Sequence, residues 1–155
     1  MKKQLPNILT LINLSLGILS IIWASQNKEY LVLCSWLILI AMLFDFMDGK
    51  LARYLNVSND FGKQLDSFAD MVTFGIAPSV IIYKLLELSG SHFVYLAFCV
   101  PIFSAIRLAK YNIDNKQGNY FIGLTTTVNA LLLSSLPLIQ QFQSSKFIEI
   151  LLSDA

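Results

Sequence analysis

The sequence predicts an all-α protein, a polytopic transmembrane helix bundle, and its composition and patterning both support this prediction. Of 155 residues, 55% are apolar and only 14% are charged, whereas ordinary soluble domains have about 45–50% apolar and 25% charged residues. The mean hydropathy of +0.63 leaves too few polar side chains to cover a soluble domain. The apolar stretches show no period-2 alternation, so helices are expected to satisfy the backbone in lipid.

Apolar stretches of near-membrane length recur along the chain, separated by short polar segments. Five are long enough to span a bilayer as helices: Ile8–Ala24, Tyr30–Tyr54, Phe61–Leu88, Phe93–Tyr111 and Phe121–Phe142. The last piece, Lys146–Ala155, is too short to span. We expect it either to begin a truncated or partial sixth helix or to lie on the membrane surface. Residues 1–155 are thus predicted to form a single membrane domain, from which further C-terminal helices are expected to be missing.

The distribution of charge predicts the topology. The formal net charge of +1 argues against binding to nucleic acid. If the N-terminus is cytoplasmic, the loops on that side receive eight of the 11 Lys and Arg residues, and the opposite side receives three. Because positively charged loops stay inside, the N-terminus and the even-to-odd loops are predicted to be cytoplasmic.

Four aspartates lie at the cytoplasmic ends of the second and third predicted helices. At about 100° per residue, one side of the second helix carries Asp45, Asp48, Gly49, Ala52 and Arg53. A matching stripe on the third helix carries Gly62, Asp66 and Asp70. Because a short connection joins these helices, they are predicted to be antiparallel neighbours whose acidic faces converge.

Carboxylates in apolar sequence need partners. A charged side chain at the bilayer centre costs about 2.5–3.5 kcal/mol, and converging carboxylates repel one another unless a cation is present. Oxygen donors without His or Cys suit Mg²⁺ or Mn²⁺, and four carboxylates are enough to hold two ions for phosphoryl chemistry. The small residues Gly49, Ala52 and Gly62 leave room for a ligand, and Arg53 offers a fork for phosphate oxygens.

The alternative for the acidic cluster is a set of buried salt bridges. Lys50, Arg53 and Lys63 are near enough in sequence to pair with the aspartates. Such pairing explains the charges but neither the glycines nor the spacing.

The spacing of this cluster resembles a family signature. The pattern D-x2-D-G-x2-A-R-x8-G-x3-D-x3-D, which runs from Asp45 to Asp70, resembles without a substitution that of the CDP-alcohol phosphotransferases. Eight fixed positions over 26 residues make the pattern far more specific than a short motif. Three further stretches, 6–13, 104–112 and 121–124, are similar to the phosphatidylserine synthase branch, although Thr125 stands where that branch usually has proline.

The resemblance implies an enzyme, a CDP-diacylglycerol–serine O-phosphatidyltransferase. Its substrates would be CDP-diacylglycerol and L-serine, its products phosphatidylserine and CMP, and its cofactor Mg²⁺ or Mn²⁺, expected as two ions. A homodimer is also implied, in the lipid bilayer of the inner cell membrane and with the active site on the cytoplasmic side.

The resemblance also implies residue roles. The divalent ions would be held by Asp45, Asp48, Asp66 and Asp70, and Asp70 would also be the general base. The nucleotide and phosphates would be bound by Thr10, Asn13, Gly49, Ala52, Arg53 and Gly62. For the serine carboxylate, Arg107 is the predicted partner, with Lys110 and Asn112 as helpers. Arg107 and Lys110 could instead be anchors that reach toward the interface.

Two other functions stay open at this point. Within the family, the acceptor could be glycerol 3-phosphate or an inositol phosphate, although phosphate-bearing acceptors favour more basic residues than Arg107 and Lys110 supply. Outside it, the chain could be a membrane cation carrier or a non-catalytic scaffold. The uncharged stretch Met71–Tyr83 argues against an ion path across the membrane, because intramembrane ion pathways are marked by ionisable residues.

Overall fold

The computed structural model describes residues 4–55, 60–113 and 124–153, with side chains described as far as residue 143. All regular structure in these ranges is helical. The helices are α1 (Leu5–Gln26), α2 (Leu31–Tyr54), α3 (Asp60–Asp70), α4 (Ala77–Leu88), α5 (Cys99–Ile113) and α6 (Thr126–Ser153). A π-helical segment, Met71–Ile76, joins α3 to α4, and short 3-10 turns, Lys28–Tyr30 and Val94–Phe98, precede α2 and α5. The predicted all-α class is confirmed.

Within the described ranges, four helical segments are long and apolar enough to cross a membrane. They are Leu5–Gln26, Lys28–Tyr54, Asp60–Leu88 and Val94–Ile113, and they coincide with the first four predicted spans. The predicted count of five is not confirmed. Although α6 has 28 residues, polar residues such as Asn129 and Gln140 make it less apolar than those four.

The C-terminal segment differs from the prediction. Residues 146–153 do not begin a separate sixth helix, because α6 runs unbroken from Thr126 to Ser153. The polar stretch around Lys146 suggested a break between helices. However, no glycine or proline follows Pro137 within α6, so no residue there forces the helix to end.

Helix α1 faces the rest of the bundle with small and polar residues. Its buried positions recur every three or four residues: Pro6, Thr10, Asn13, Gly17, Ser20 and Ala24. Its large side chains, such as Ile8 and Ile18, are exposed, as expected for positions that face lipid. Small residues at such an interface allow helix backbones to approach closely, and α1 accordingly packs against α2, α3, α4 and the π-helical segment.

The apolar core lies mainly away from the aspartates. It comprises Ala24, Leu31, Cys34, Ile38, Phe74, Ala77, Ile81 and Ala130. Two buried hydroxyl groups tie helices together around it. Ser20 donates to the Cys34 carbonyl at 3.2 Å, and Ser79 donates to the Ala97 carbonyl at 2.8 Å. The same packing brings α1 against both α2 and α3, the two helices that carry the aspartates.

Replacing Gly17 by alanine is expected to destabilise the bundle. A Cβ atom at Gly17 would lie 2.8 Å from the Cα atom of Thr73, so backbone would have to move and the cost should be about 1–3 kcal/mol. Gly49→Ala is the matched control, because a Cβ there meets nothing within 4 Å. Thermal unfolding in detergent should show a lower midpoint for Gly17→Ala only; equal midpoints would contradict the close approach.

Candidate active site

The aspartates of α2 and α3 converge, as the sequence predicts. Asp45, Asp48 and Asp66 each place one carboxylate oxygen within 4.8 Å of the others. Asp70 lies one turn further along α3, and its carboxyl group is a close neighbour of that of Asp45. Four carboxyl groups from two helices therefore form one cluster, and three of them are half-buried while Asp48 is only 4% exposed.

Helix α1 holds Asp48 in place. The Thr10 hydroxyl lies 2.6 Å from Asp48 Oδ2, to which it donates a hydrogen bond. The same hydroxyl lies 3.0 Å from the Pro6 carbonyl in the preceding turn. Thr10 therefore fixes one carboxylate oxygen of Asp48. Asn13 lies one turn further along α1 and is fully buried.

The small residues of the cluster border an open surface. A Cβ at Gly49 would have no heavy atom within 4 Å, so this position faces space that a ligand can enter. Arg53 is exposed in the next turn, and its Nε donates to the Gly49 carbonyl at 3.0 Å. Ala52 and Gly62 are half-buried at the same end of the helix pair.

Helix α5 is tied to α3 beside the cluster. Asn112 Nδ2 donates to Ser67 Oγ at 3.0 Å, and Ser67 Oγ lies 3.3 Å from Asn112 Oδ1. The ammonium of Lys63 lies 5.7 Å from the centre of the Tyr111 ring. Asn112 thus holds α5 against the residue that follows Asp66.

Arg107 lines a cavity of about 320 Å³ between α5 and the start of α6. The other lining residues are Cys99, Val100, Phe103, Ser104, Leu124, Thr125, Thr126 and Asn129. Lys110 is exposed and does not line this cavity.

The depth of Arg107 along the helix bundle follows from two contacts. On α5, Asn112 bonds Ser67, and Ser104 packs against Gly75, where an added Cβ would lie 3.3 Å from Ser104 Cβ. Arg107 lies between these two contacts on α5, so its backbone is at a depth between those of Ser67 and Gly75. This depth is close to that of Asp70.

Sequence reasoning missed several polar residues that the structure places near the site. Ser67 binds a neighbouring helix, and Thr126 and Asn129 line the cavity. Each is a polar residue within an apolar span. Because buried polar groups in lipid need partners, that property was a usable signal, but it does not reveal which helix supplies the partner.

The donor set of the aspartate cluster fits a hard divalent cation. All candidate ligand atoms are carboxylate oxygens, the donors that Mg²⁺ and Mn²⁺ prefer. Three oxygens within 4.8 Å of one another can reach one ion at metal–oxygen distances of about 2.0–2.1 Å after small side-chain movements. Asp70 adds a fourth carboxyl group next to that of Asp45.

Comparison with known proteins adds independent evidence. A family model described as CDP-alcohol phosphatidyltransferase matches residues 3–153. The chain is 38% identical over 133 residues to the CDP-diacylglycerol–serine O-phosphatidyltransferase of Helicobacter pylori strain J99, covering 82% of this chain and 54% of that protein. It is 36% identical over 124 residues to the enzyme of the same name from Methanocaldococcus jannaschii, covering 80% of this chain and 55% of that protein.

A relative with a related name matches over a similar region. The archaetidylserine synthase of Methanothermobacter thermautotrophicus is 34% identical over 137 residues, covering 84% of this chain and 56% of that protein. The chain therefore spans about half the length of these curated relatives.

Proposed function

Because the chain belongs to the CDP-alcohol phosphatidyltransferase family, we propose that it transfers the phosphatidyl group of CDP-diacylglycerol to L-serine, giving phosphatidylserine and CMP. One observation carries the proposal: four carboxyl groups from α2 and α3 meet beside the open surface at Gly49. The negative charge of a diphosphate must be offset by positive charge, and a carboxylate cluster can bind the metal ions that supply it. The names of the relatives support serine as the acceptor.

The aspartate cluster is the proposed holder of the cofactor. Asp45, Asp48 and Asp66, together with Asp70, would bind Mg²⁺ or Mn²⁺, and four carboxylates suffice for two ions. When bound, the ions supply positive charge that offsets the negative charge developing on the phosphate oxygens. Thr10 contributes by holding one oxygen of Asp48 in a fixed position.

The proposed chemistry is a single displacement at phosphorus. The serine hydroxyl oxygen bonds to the phosphorus that carries diacylglycerol, and the bond from that phosphorus to the oxygen of CMP breaks. CMP leaves with the electron pair of the broken bond. The proton of the hydroxyl group passes to Asp70, which acts as the general base. Its position on α3, beside Asp45, supports this role, because the diphosphate is proposed to bind at the same cluster.

The nucleotide side of the site is proposed to lie along α2. Gly49 and Ala52 leave space for the nucleotide, Gly62 does so from α3, and the exposed Arg53 is placed to pair with phosphate oxygens. Thr10 closes this side of the site from α1, whereas the Asn13 side chain is fully buried and does not line it.

The acceptor side is proposed to be the cavity at Arg107. Arg107 lies on α5 near the level of Asp70, and its guanidinium group can pair with a carboxylate. The cavity of about 320 Å³ that it lines can hold an amino acid with water. Asn129 and Thr126 add polar groups on α6. Lys110 and Asn112 are proposed as helpers at the cytoplasmic rim, where Asn112 already fixes α5 against Ser67.

Arg107→Gln is expected to raise the KM for serine by about tenfold or more, since a charge-assisted hydrogen bond to the carboxylate is lost. The KM for CDP-diacylglycerol should stay within about twofold. Lys110→Gln, outside the cavity, is the matched variant and should change the serine KM far less. A serine KM that is unchanged in Arg107→Gln would place the acceptor elsewhere.

The membrane arrangement is also part of the proposal. The eight Lys and Arg residues on one side against three on the other support a cytoplasmic N-terminus. The aspartate cluster would then open to the cytoplasm, where serine is available. We propose the inner cell membrane as the location and a homodimer as the assembly.

The test is release of CMP by the detergent-solubilised chain. CDP-diacylglycerol and Mn²⁺ are supplied with no acceptor, with L-serine, with glycerol 3-phosphate, or with an inositol phosphate. Release that requires L-serine supports the proposal. Release only with a phosphate-bearing acceptor would agree with the family but would contradict serine as the acceptor. Metal-dependent flux into liposomes without any CMP release would instead favour a cation carrier.

A further inference from the structure

Three buried polar atoms beside the aspartate cluster have no hydrogen-bond partner among the described residues. Two are the amide atoms of Asn13, Nδ2 and Oδ1, and the third is Asp70 Oδ1. The Asn13 residue is 0% exposed. Buried polar groups in native proteins are nearly always paired with protein or with ordered water. Three such atoms in one region therefore suggest a shared small partner.

The surrounding contacts place these atoms at one helix junction. The Thr73 hydroxyl donates to the Asn13 carbonyl at 3.2 Å, and Thr73 follows Asp70 by three residues on the same helical rod. On α1, Thr10 precedes Asn13 by three residues and donates to Asp48. Asn13 and Asp70 therefore both border the junction of α1, α2 and α3, within about one helical turn of each other.

The packing on the Asn13 side of this junction keeps bulk solvent out. Gly17 brings α1 so close to the π-helical segment that an added Cβ would lie 2.8 Å from Thr73 Cα. Thr73 is 0% exposed, as is Asn13. An isolated water molecule enclosed here would exchange slowly with the solvent.

We infer that one buried water molecule bridges Asn13 and Asp70, and that Asn13 is a positioning residue for the Asp70 carboxyl group. A buried water typically makes about three hydrogen bonds, and the three unpaired atoms match this number. Asn13 Nδ2 donates to the water, which in turn donates to Asn13 Oδ1 and to Asp70 Oδ1. This leaves the other Asp70 oxygen for the proposed roles in metal binding and as the general base. The catalytic consequence rests on the proposed role of Asp70, whereas the water bridge does not.

The bridge is tested directly by nuclear magnetic resonance. Full-length protein with [¹⁵N]asparagine, in a detergent with deuterated chains, should show cross-peaks between the Asn13 side-chain amide protons and water. The Asn13 signals are identified by their loss in Asn13→Ser. The cross-peaks should disappear in Asp70→Leu, which removes one partner of the water. Absent cross-peaks in the unmodified protein would overturn the bridge whether or not the chain is active.

The positioning role is tested by the division of the effect between kcat and KM. Asn13→Leu is similar in size to asparagine but cannot bind the water, so kcat should fall by about 10–100-fold, as for other residues that orient a ligand. The KM values for both substrates should stay within about twofold. Asn13→Ser, which keeps a hydroxyl group and space for water, should retain more kcat than Asn13→Ala.

The matched control is Ser20→Ala on the same buried face of α1. Ser20 bonds the Cys34 carbonyl in the apolar half of the bundle, so this variant reports the cost of losing a buried polar contact far from the aspartates. A kcat as low in Ser20→Ala as in Asn13→Leu would overturn the positioning role. So would a raised KM for CDP-diacylglycerol at unchanged kcat, because Asn13 would then act on the substrate.

Discussion

Asp70→Asn is expected to abolish serine-dependent CMP release, with kcat at least about 10²–10⁴-fold lower, the contribution typical of a general base. The amide has nearly the same size as the carboxyl group, but it cannot accept the hydroxyl proton. The substitution also removes one negative charge from the aspartate cluster, next to Asp45. Steady-state kinetics at saturating Mn²⁺ measures the loss without confounding it with weaker metal binding.

Asp60→Asn is the control for this substitution. Asp60 is the exposed first residue of α3, so neutralising it changes the charge of the same helix outside the cluster. Its kcat should stay within about twofold. If Asp70→Asn retained similar activity, another group would have to take the proton, and the assigned base would be wrong.

Removal of divalent cations is expected to lower CMP release by a similar factor. Without them, three carboxylate groups whose oxygens lie within 4.8 Å of one another would repel both each other and the diphosphate, so CMP release should fall by more than about 100-fold. Adding Mn²⁺ or Mg²⁺ back should restore it. The metal content after chelation, measured by atomic emission, confirms that removal was complete.

Asp66→Asn separates a role in metal binding from a role in folding. The variant should need a higher Mn²⁺ concentration for half-maximal rate, and its binding isotherm should show weaker Mn²⁺ affinity. Its thermal midpoint without metal should not fall, because a repelling charge has been removed from the cluster. Full activity in metal-free protein would contradict the assignment of the aspartates as ligands.

The sequence predicted the site better than the arrangement around it. The positions of the aspartates follow from helical periodicity and one short connection, which together leave only one way for the two faces to meet. The role of Thr10 depends on its hydrogen bond to Asp48, a residue 38 positions away in the sequence. Likewise, the bond between Ser67 and Asn112 joins residues 45 apart. Such partners depend on helix packing, which a pattern within one helix does not specify.

In the C-terminal segment, hydropathy predicted helix boundaries that differ from those of the structure. Hydropathy predicted a fifth span and a separate sixth segment, yet α6 is one helix through Ser153, because no residue there breaks it. Polar residues such as Asn129, which lower the hydropathy of α6, line the cavity at Arg107. Asn129, which makes α6 less apolar, is therefore also one of the residues proposed to face the acceptor.

The most direct test of the account uses L-serine labelled with ¹⁸O in its hydroxyl group. The purified chain is incubated with this serine, CDP-diacylglycerol and Mn²⁺, and the lipid product is examined by mass spectrometry. The account predicts phosphatidylserine that retains the ¹⁸O atom, together with one CMP per lipid formed, because the serine oxygen itself bonds to phosphorus. Phosphatidylserine without the label would contradict that displacement, and CMP release without phosphatidylserine would contradict transfer to serine.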